Sequence, residues 1–532
     1  MSRLAAALVV ACLCVGGATA PMTVTATNPD APSIVATVPN PVADGDAGET
    51  VVVRAPPLTN LSQYVLADGE SRVRLPNRTV TGEVVLTATP ARVRNRTDRR
   101  VLRVALPALS NAGERLRLLR DNQTVSTLRY EDAPEGERLR NGTWRHIGAT
   151  DHPVVTGGAG TARAFVLPDA PEPPLAPIRN ATDRVLLAGY TLTSKRVTDA
   201  LVAAAERGAT VRVLVEGGPV GGISRAQAHQ LDRLTAAGVS VRVVTGPHAR
   251  YAYHHAKYAV ADNQAVVLTE NWKPAGVGGR SSRGWGAVVA DPRIVSGLVR
   301  LFDGDFEWRA ARAWREYRRG RTFTAGETAN GTYQTRTEPA RVSYQNASLL
   351  VAPDNAGRAL AGRLRRANDS IRVLQLSIDS SDGRFVRALL DAARRGVTVR
   401  VLLASAWYVR EDNAAVAEQL NAAADREGLD LRVRLAEPRG YEKVHAKGVV
   451  VDDSVVLGSL NWNRESVRQN REVLLALEGE AVADYYRTVF DADWRASSGA
   501  ASERTRIPLG LVTALGVGAA VCLLAARRLS FE

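Results

Sequence analysis

The strongest constraint on this chain is that it runs through one pattern twice. His255-Ala256-Lys257 returns 190 residues later as His445-Ala446-Lys447, and in each copy an aspartate stands five residues past the lysine, at Asp262 and Asp452. An Asn-Trp pair then follows 16 residues after each histidine, beginning at Asn271 and Asn461. The repetition extends outward. Residues 185–190 align with 373–378 and residues 210–215 with 398–403, both at an offset of 188. The amphipathic runs 197–207 and 385–395 each stop at a glycine, Gly208 and Gly396. Phe302-Asp303-Gly304-Asp305 is echoed by Phe490-Asp491-Ala492-Asp493. Short apolar runs alternating with helical periodicity indicate an α/β architecture, and the duplication indicates two similar halves, placed at 165–325 and 340–500.

Within the repeat, lysine usage is informative. The chain has 69 basic residues, of which only Lys195, Lys257, Lys273, Lys443 and Lys447 are lysine. Two of these five stand two residues after a motif histidine. Lysine is a compact, rotatable donor and arginine a planar fork, so its retention there suggests a point-charge role. The formal charge of +14 favours anionic partners, namely phospholipid surfaces, nucleic acid or an acidic polymer, although arginine spread over a solvated surface gives the same sum.

The cysteines, Cys12, Cys14 and Cys522, all fall in apolar end segments, so no disulfide framework or thiolate metal site is expected. Seven histidines without metal-ligand spacing give no reason to invoke a cofactor. Residues 1–26 read as a signal peptide, with Arg3, an apolar run and Ala18-Thr19-Ala20. Residues 507–526 carry no charge and precede Arg527-Arg528, the pattern of a C-terminal transmembrane helix with its basic flank inside. Asn60, Asn77, Asn95, Asn122, Asn141, Asn180, Asn330, Asn346 and Asn368 each begin an Asn-x-Ser/Thr acceptor, consistent with an outward-facing body.

Short alternating runs separated by Pro, Gly and Asn turns indicate a small all-β sandwich over 27–150. Its landmarks are Pro39-Asn40-Pro41, Gly48-Glu49, the run from Tyr64 to Gly69, and that from Leu109 to Glu114. This stretch resembles the lamin-tail domain, an immunoglobulin-like sandwich, which implies a binding or accessory role.

The motifs themselves carry chemistry. In an extended chain, residues i and i+2 share a face, so each motif projects its histidine and lysine together. Gly458-Ser459-Leu460-Asn461 adds a hydroxyl and an amide. Lysine and asparagine donors suit the charge that gathers on a phosphodiester in its transition state. One neutral histidine can attack phosphorus while a protonated one donates to the departing oxygen.

Two copies of HxKx4D, the second followed by GSxN, resemble the phospholipase D superfamily. The resemblance implies a duplicated α/β phospholipase D fold with mixed sheets and one site formed by the two halves within a monomer. It also implies a phosphohistidine intermediate and no cofactor or metal. By position it marks His255, Lys257, Asp262 and Asn271, and His445, Lys447, Asp452, Ser459, Asn461 and Glu472. The aspartates are expected to support the architecture. The first half departs from the pattern: Leu268-Thr269-Glu270-Asn271 replaces Gly-Ser-x-Asn, and Arg283-Gly284-Trp285-Gly286 offers no acid to match Glu472. Glu472 is therefore expected to orient His445 as nucleophile, with His255 as the acid. Trp272 and Trp462 are expected to pack, and His254 to be structural. The expected function is a membrane-anchored, outward-facing phosphodiesterase or phosphatidyltransferase acting on phospholipids. A nuclease using the same chemistry and an inactive surface-binding protein are the alternatives.

Overall fold

The computed structural model describes residues 24–26, 31–43, 47–246, 248–326 and 328–497. The expected transmembrane helix at 507–526 lies outside them, as does most of the expected signal segment. The last three residues of that segment, Val24–Ala26, form a strand pairing with Gln123–Glu131 and so join the sandwich. Among the described residues no helix is long and apolar enough to cross a membrane.

The N-terminal region is all-β. A five-stranded sheet faces a six-stranded one, and alternate residues of both bury a shared core that includes Ile34, Val53, Leu66, Leu86, Leu116, Leu128 and Tyr130. The alternation in Gly113–Arg120 and Gln123–Glu131 produces this, since every second side chain of a strand faces one way.

The remaining chain builds two sheets of related order. In the first, Ser240–Val244, Thr210–Glu216 and Arg184–Gly189 run parallel, and Tyr258–Ala261, Gln264–Leu268 and Ser282–Val289 continue antiparallel. In the second, Leu431–Leu435, Thr398–Leu403, Ser370–Gln375, Lys447–Val451, Ser454–Gly458 and Glu472–Glu478 repeat that order. The sheets are mixed. Helices Pro292–Phe306 and Glu480–Ala496 contribute Phe302, Phe306, Tyr486 and Phe490 to the large core that residues of both sheets share. Helices Lys195–Glu206 and Arg225–Ala236 cover the first sheet's other face, and Ala356–Arg365, Arg384–Arg394 and Arg410–Glu427 that of the second. Strands buried on both faces explain why the sequence runs apolar there without alternation.

Two expectations from the sequence change in the structure. The first repeated strand aligns at 186, not 188: Val185 and Ile371 face Ala261 and Val451, the equivalent residues ahead of the two motif turns. Apolar runs slide past one another without penalty in sequence, whereas strand pairing fixes register. The halves also exchange edge strands. Val155–Gly157 pairs with Asn346–Ala352 of the second sheet, while Ala340–Tyr344 pairs with Gly160–Leu167 of the first. Beyond the helix Pro292–Phe306, Ala311–Ala313 adds an edge strand to Ser240–Val244.

Candidate active site

Each histidine motif is held by a strand of the opposite half. The His255 backbone N–H donates to the Arg471 carbonyl at 2.9 Å, and the His445 N–H donates to the Arg283 carbonyl at 3.0 Å. Lys443–Val444 accordingly pairs in parallel with Ser282–Arg283. This crossing decides which acid meets which imidazole. Glu472, buried beside Arg471, stands with both carboxylate oxygens 3.0 Å from His255 Nδ1. The expected Glu472–His445 pair is therefore incorrect.

His445 has its own acid, which the motif reading passed over. Glu270 Oε2 lies 3.3 Å from His445 Nδ1. Gly284 is the structural counterpart of Glu472, since each pairs with the residue before a proline, Leu167 and Ala352. A Cβ on Gly284 would stand 2.2 Å from Glu270 Cγ. The carboxylate has thus moved from the strand to the loop, and the strand gave up its side chain to admit it. The signal was present in sequence: an acid at Glu270 where the other copy has Leu460, together with a glycine where the other copy has an acid.

The lysines are buried and turn back on their own motifs. Lys257 Nζ donates to the His255 carbonyl and Lys447 Nζ to the His445 carbonyl, each at 2.7 Å. Lys447 Nζ also lies 3.3 Å from His445 Nδ1. Burial pushes the Lys257 pKa well below its ordinary value and brings that of Lys447 down to about 8. Burial likewise lowers both histidines to about 4, a shift their glutamates oppose and the lysines reinforce. Burial works to raise Glu472, but His255 and Lys257 outweigh it and hold its pKa below the ordinary range. A carboxylate at Nδ1 leaves the Nε2 lone pair of a neutral imidazole for chemistry.

Around these groups the copies match residue for residue. The buried Oδ1 atoms of Asn271 and Asn461 have no hydrogen-bond partner among the described residues. The hydroxyls of Ser459 and Thr269 accept from the N–H groups of Val473 and Trp285 at 3.0 Å, pinning the next strand, and that of Ser459 also helps hold Glu472 ionised. Asp262 and Asp452 sit in left-handed turns at φ 50° and 47°. Each accepts three backbone N–H groups, from Thr182, Asp183 and Arg184, and from Asn368, Asp369 and Ser370. They close the sheet and touch no catalytic group. Trp272 is buried and donates to the Ala188 carbonyl, while Trp462 packs on Phe385. Tyr190 meets the His255 ring edge-on at 4.8 Å.

Two buried ion clusters brace the crossing. Arg471 binds Asp305 at 2.8 Å and Asp354 at 2.9 Å, and Arg283 binds Asp493 at 3.0 Å and Asp169 at 3.1 Å. In each cluster one aspartate comes from the opposite half and closes the repeated Phe-Asp-x-Asp run. His254 is buried beside Asp305 at 3.5 Å.

Two α/β halves that cross to bring the His–Lys–Glu groups together define a duplicated α/β fold. The chain belongs to the family described as cardiolipin synthase, PLD-like domain, whose model matches residues 175–306 and 360–494. It is 30% identical over 143 residues to the mitochondrial cardiolipin hydrolase of Xenopus tropicalis, covering 27% of this chain and 62% of that protein. To a phospholipase D of Rickettsia bellii it is 24% identical over 160 residues, covering 28% and 74%. Among solved structures, phosphatidylserine synthase from Haemophilus influenzae Rd KW20 superposes with a TM-score of 0.50 at 12% identity, covering 63% of this chain and 86% of that one. The chain spans about three fifths of the length of the cardiolipin hydrolase it matches.

Proposed function

We propose that this protein cleaves or transfers the phosphodiester of a phospholipid, with His255 as nucleophile and His445 as general acid. The observation that carries the reading is the pair of crossed contacts, His255–Glu472 and His445–Glu270, with a buried lysine beside each histidine. His255 has the closer carboxylate, with both oxygens at 3.0 Å against 3.3 Å for His445. A negative partner at Nδ1 stabilises the positive charge that the ring acquires as Nε2 bonds to phosphorus. The P–O bond to the leaving group breaks as protonated His445 gives its proton to that oxygen. His445 then takes a proton from water or an alcohol, which attacks phosphorus, breaks the P–N bond and restores His255. Burial holds His445 neutral in the empty site; an arriving phosphodiester anion favours its protonated form. Lys257, Lys447, Asn271 and Asn461 supply donors for the non-bridging oxygens.

The names of the relatives support a lipid substrate, and so do exposed apolar side chains on loops that follow equivalent strands. Val220 stands 80% exposed after Thr210–Glu216, and Trp407 87% exposed after Thr398–Leu403. The Val220 N–H donates to Tyr190, which packs on His255, so this loop borders the site. An outward-facing body on a C-terminal membrane anchor, with a lamin-tail-like domain preceding the catalytic halves, completes the proposal. The test incubates the full chain, with chelator, against defined phospholipid vesicles and against DNA and RNA. Headgroup release or transfer that disappears in His255→Asn and His445→Asn supports the reading, whereas cleavage of nucleic acid alone replaces it with the nuclease.

A further inference from the structure

We propose that the cleft between the β-sandwich and the duplicated domain is a binding site for a small anion carrying more than one phosphate, separate from the histidine site. The cleft encloses about 890 Å³, and its wall carries eight arginines against three aspartates. That volume is in the range of small-molecule sites, about 300–1,000 Å³. Three parts of the chain supply the arginines: Arg96 and Arg138 come from the sandwich, Arg250 and Arg300 from the first half, and Arg468 from the second. None of the two motif histidines, two motif lysines, Glu270 or Glu472 lines it.

Several of these cations are already satisfied. Arg99 and Arg140 bind Glu83, and Arg471 binds Asp305 and Asp354. Others are not. Arg96, Arg250 and Arg300 make no ion pair among the described residues; Arg250 instead lies 3.4 Å from the centre of the Trp308 ring. Arg138 has a buried Nε without a partner among the described residues. Its nearest carboxylate oxygen, on Asp151, is 3.7 Å away, and the other oxygen of Asp151 is bound by Arg145 at 2.6 Å. Burial, with Arg99, Arg140 and Arg145 nearby, holds the Arg138 pKa below its ordinary value despite Asp151.

Like charges gathered from three modules into one cleft repel, and an anion in the cleft would reverse that sign. Guanidinium forks match phosphate oxygens two at a time, so four arginines without close carboxylates suit two or more phosphate groups better than one. The phosphates could belong to a soluble diphosphate or to a lipid headgroup, since the recognition chemistry is the same.

The test titrates the full chain, in neutral detergent with chelator, with inorganic pyrophosphate by calorimetry. In parallel, flotation is measured with phosphatidylcholine vesicles with and without phosphatidylinositol bisphosphate, whose headgroup carries several phosphates. Pyrophosphate binding at one site that persists in His255→Asn, and weakens about ten-fold or more in an Arg250→Gln, Arg300→Gln double variant, supports the proposal and a soluble ligand. The same pattern seen only with phosphatidylinositol bisphosphate vesicles supports it with a lipid headgroup. Arg300→Gln alone serves as the second variant, because this exposed side chain makes no hydrogen bond or ion pair among the described residues and its removal leaves the fold intact. Thermal unfolding of both variants should match the native chain. Binding of neither probe, binding unaffected by the arginine substitutions, binding lost in His255→Asn, or binding of a DNA oligonucleotide only would each overturn the proposal.

Discussion

Glu270 stands where the other copy of the motif has Leu460, and Gly284 where it has Glu472. Each histidine keeps a carboxylate, yet the two carboxylates reach it from different elements. Replacing either acid with its amide removes the charge that supports imidazolium. Glu472→Gln and Glu270→Gln are expected to lower kcat about 10²–10⁴-fold with little change in KM, measured by steady-state kinetics on phospholipid micelles. The pH profile separates this from misfolding. Glu472 acts to raise the His255 pKa, which burial has already brought down to about 4. Its removal lowers that pKa further, so the limb of kcat/KM that requires a neutral nucleophile should move to more acid pH. A variant that loses rate with an unmoved limb would deny Glu472 this role. The histidines, lysines and asparagines were legible from spacing alone. Glu270 was not, because a search for an acid at the same spacing in both copies finds none in the first.

At the scale of elements, the turn aspartates and the buried ion clusters do the positioning. Asp262 satisfies three N–H groups at a left-handed turn, a conformation Asp and Asn tolerate better than other side chains. Asp262→Ala is expected to cost about 1–3 kcal/mol in denaturant unfolding, with Asp262→Asn retaining most of the stability and both retaining the activity of the folded fraction. Loss of activity without loss of stability would instead place Asp262 in the chemistry. Arg471→Met leaves Asp305 and Asp354 as buried charges without their partner, and about 3–5 kcal/mol of destabilisation is expected by the same measurement. The Arg471 carbonyl also receives the His255 N–H, so residual activity should fall further than stability alone accounts for. The sequence placed the repeated helices at 197–207 and 385–395 and the strands at 210–215 and 398–403 within a few residues of where they fold, and it marked Asp305 and Asp493 as a repeat. It assigned them no role, because their partners Arg471 and Arg283 lie far along the chain.

Across the whole molecule, His146, His255 and His445 share one response to acid. Burial lowers the pKa of His255 and His445 to about 4 and of His146, in the sandwich, to about 3, below the ordinary value of 6.5. An unfolded chain therefore binds these protons at a higher pH than the folded one. The contribution is fully present above pH 6.5 and is lost as pH falls toward 4. Tm should decline between pH 7 and pH 4, and His146→Gln should lessen the decline. A flat profile over that interval would show that the folded protein accommodates the charged rings. The sequence by itself determined that there are two α/β halves behind a β-sandwich and which histidines, lysines and asparagines recur in both, since periodicity and repeated spacing are local properties. Only the tertiary structure decided that the halves exchange edge strands, that each histidine rests on the opposite half, and that Glu270 replaces the missing acid. Those outcomes depend on strand register and on the space left by one glycine, and both exist only once distant segments have packed.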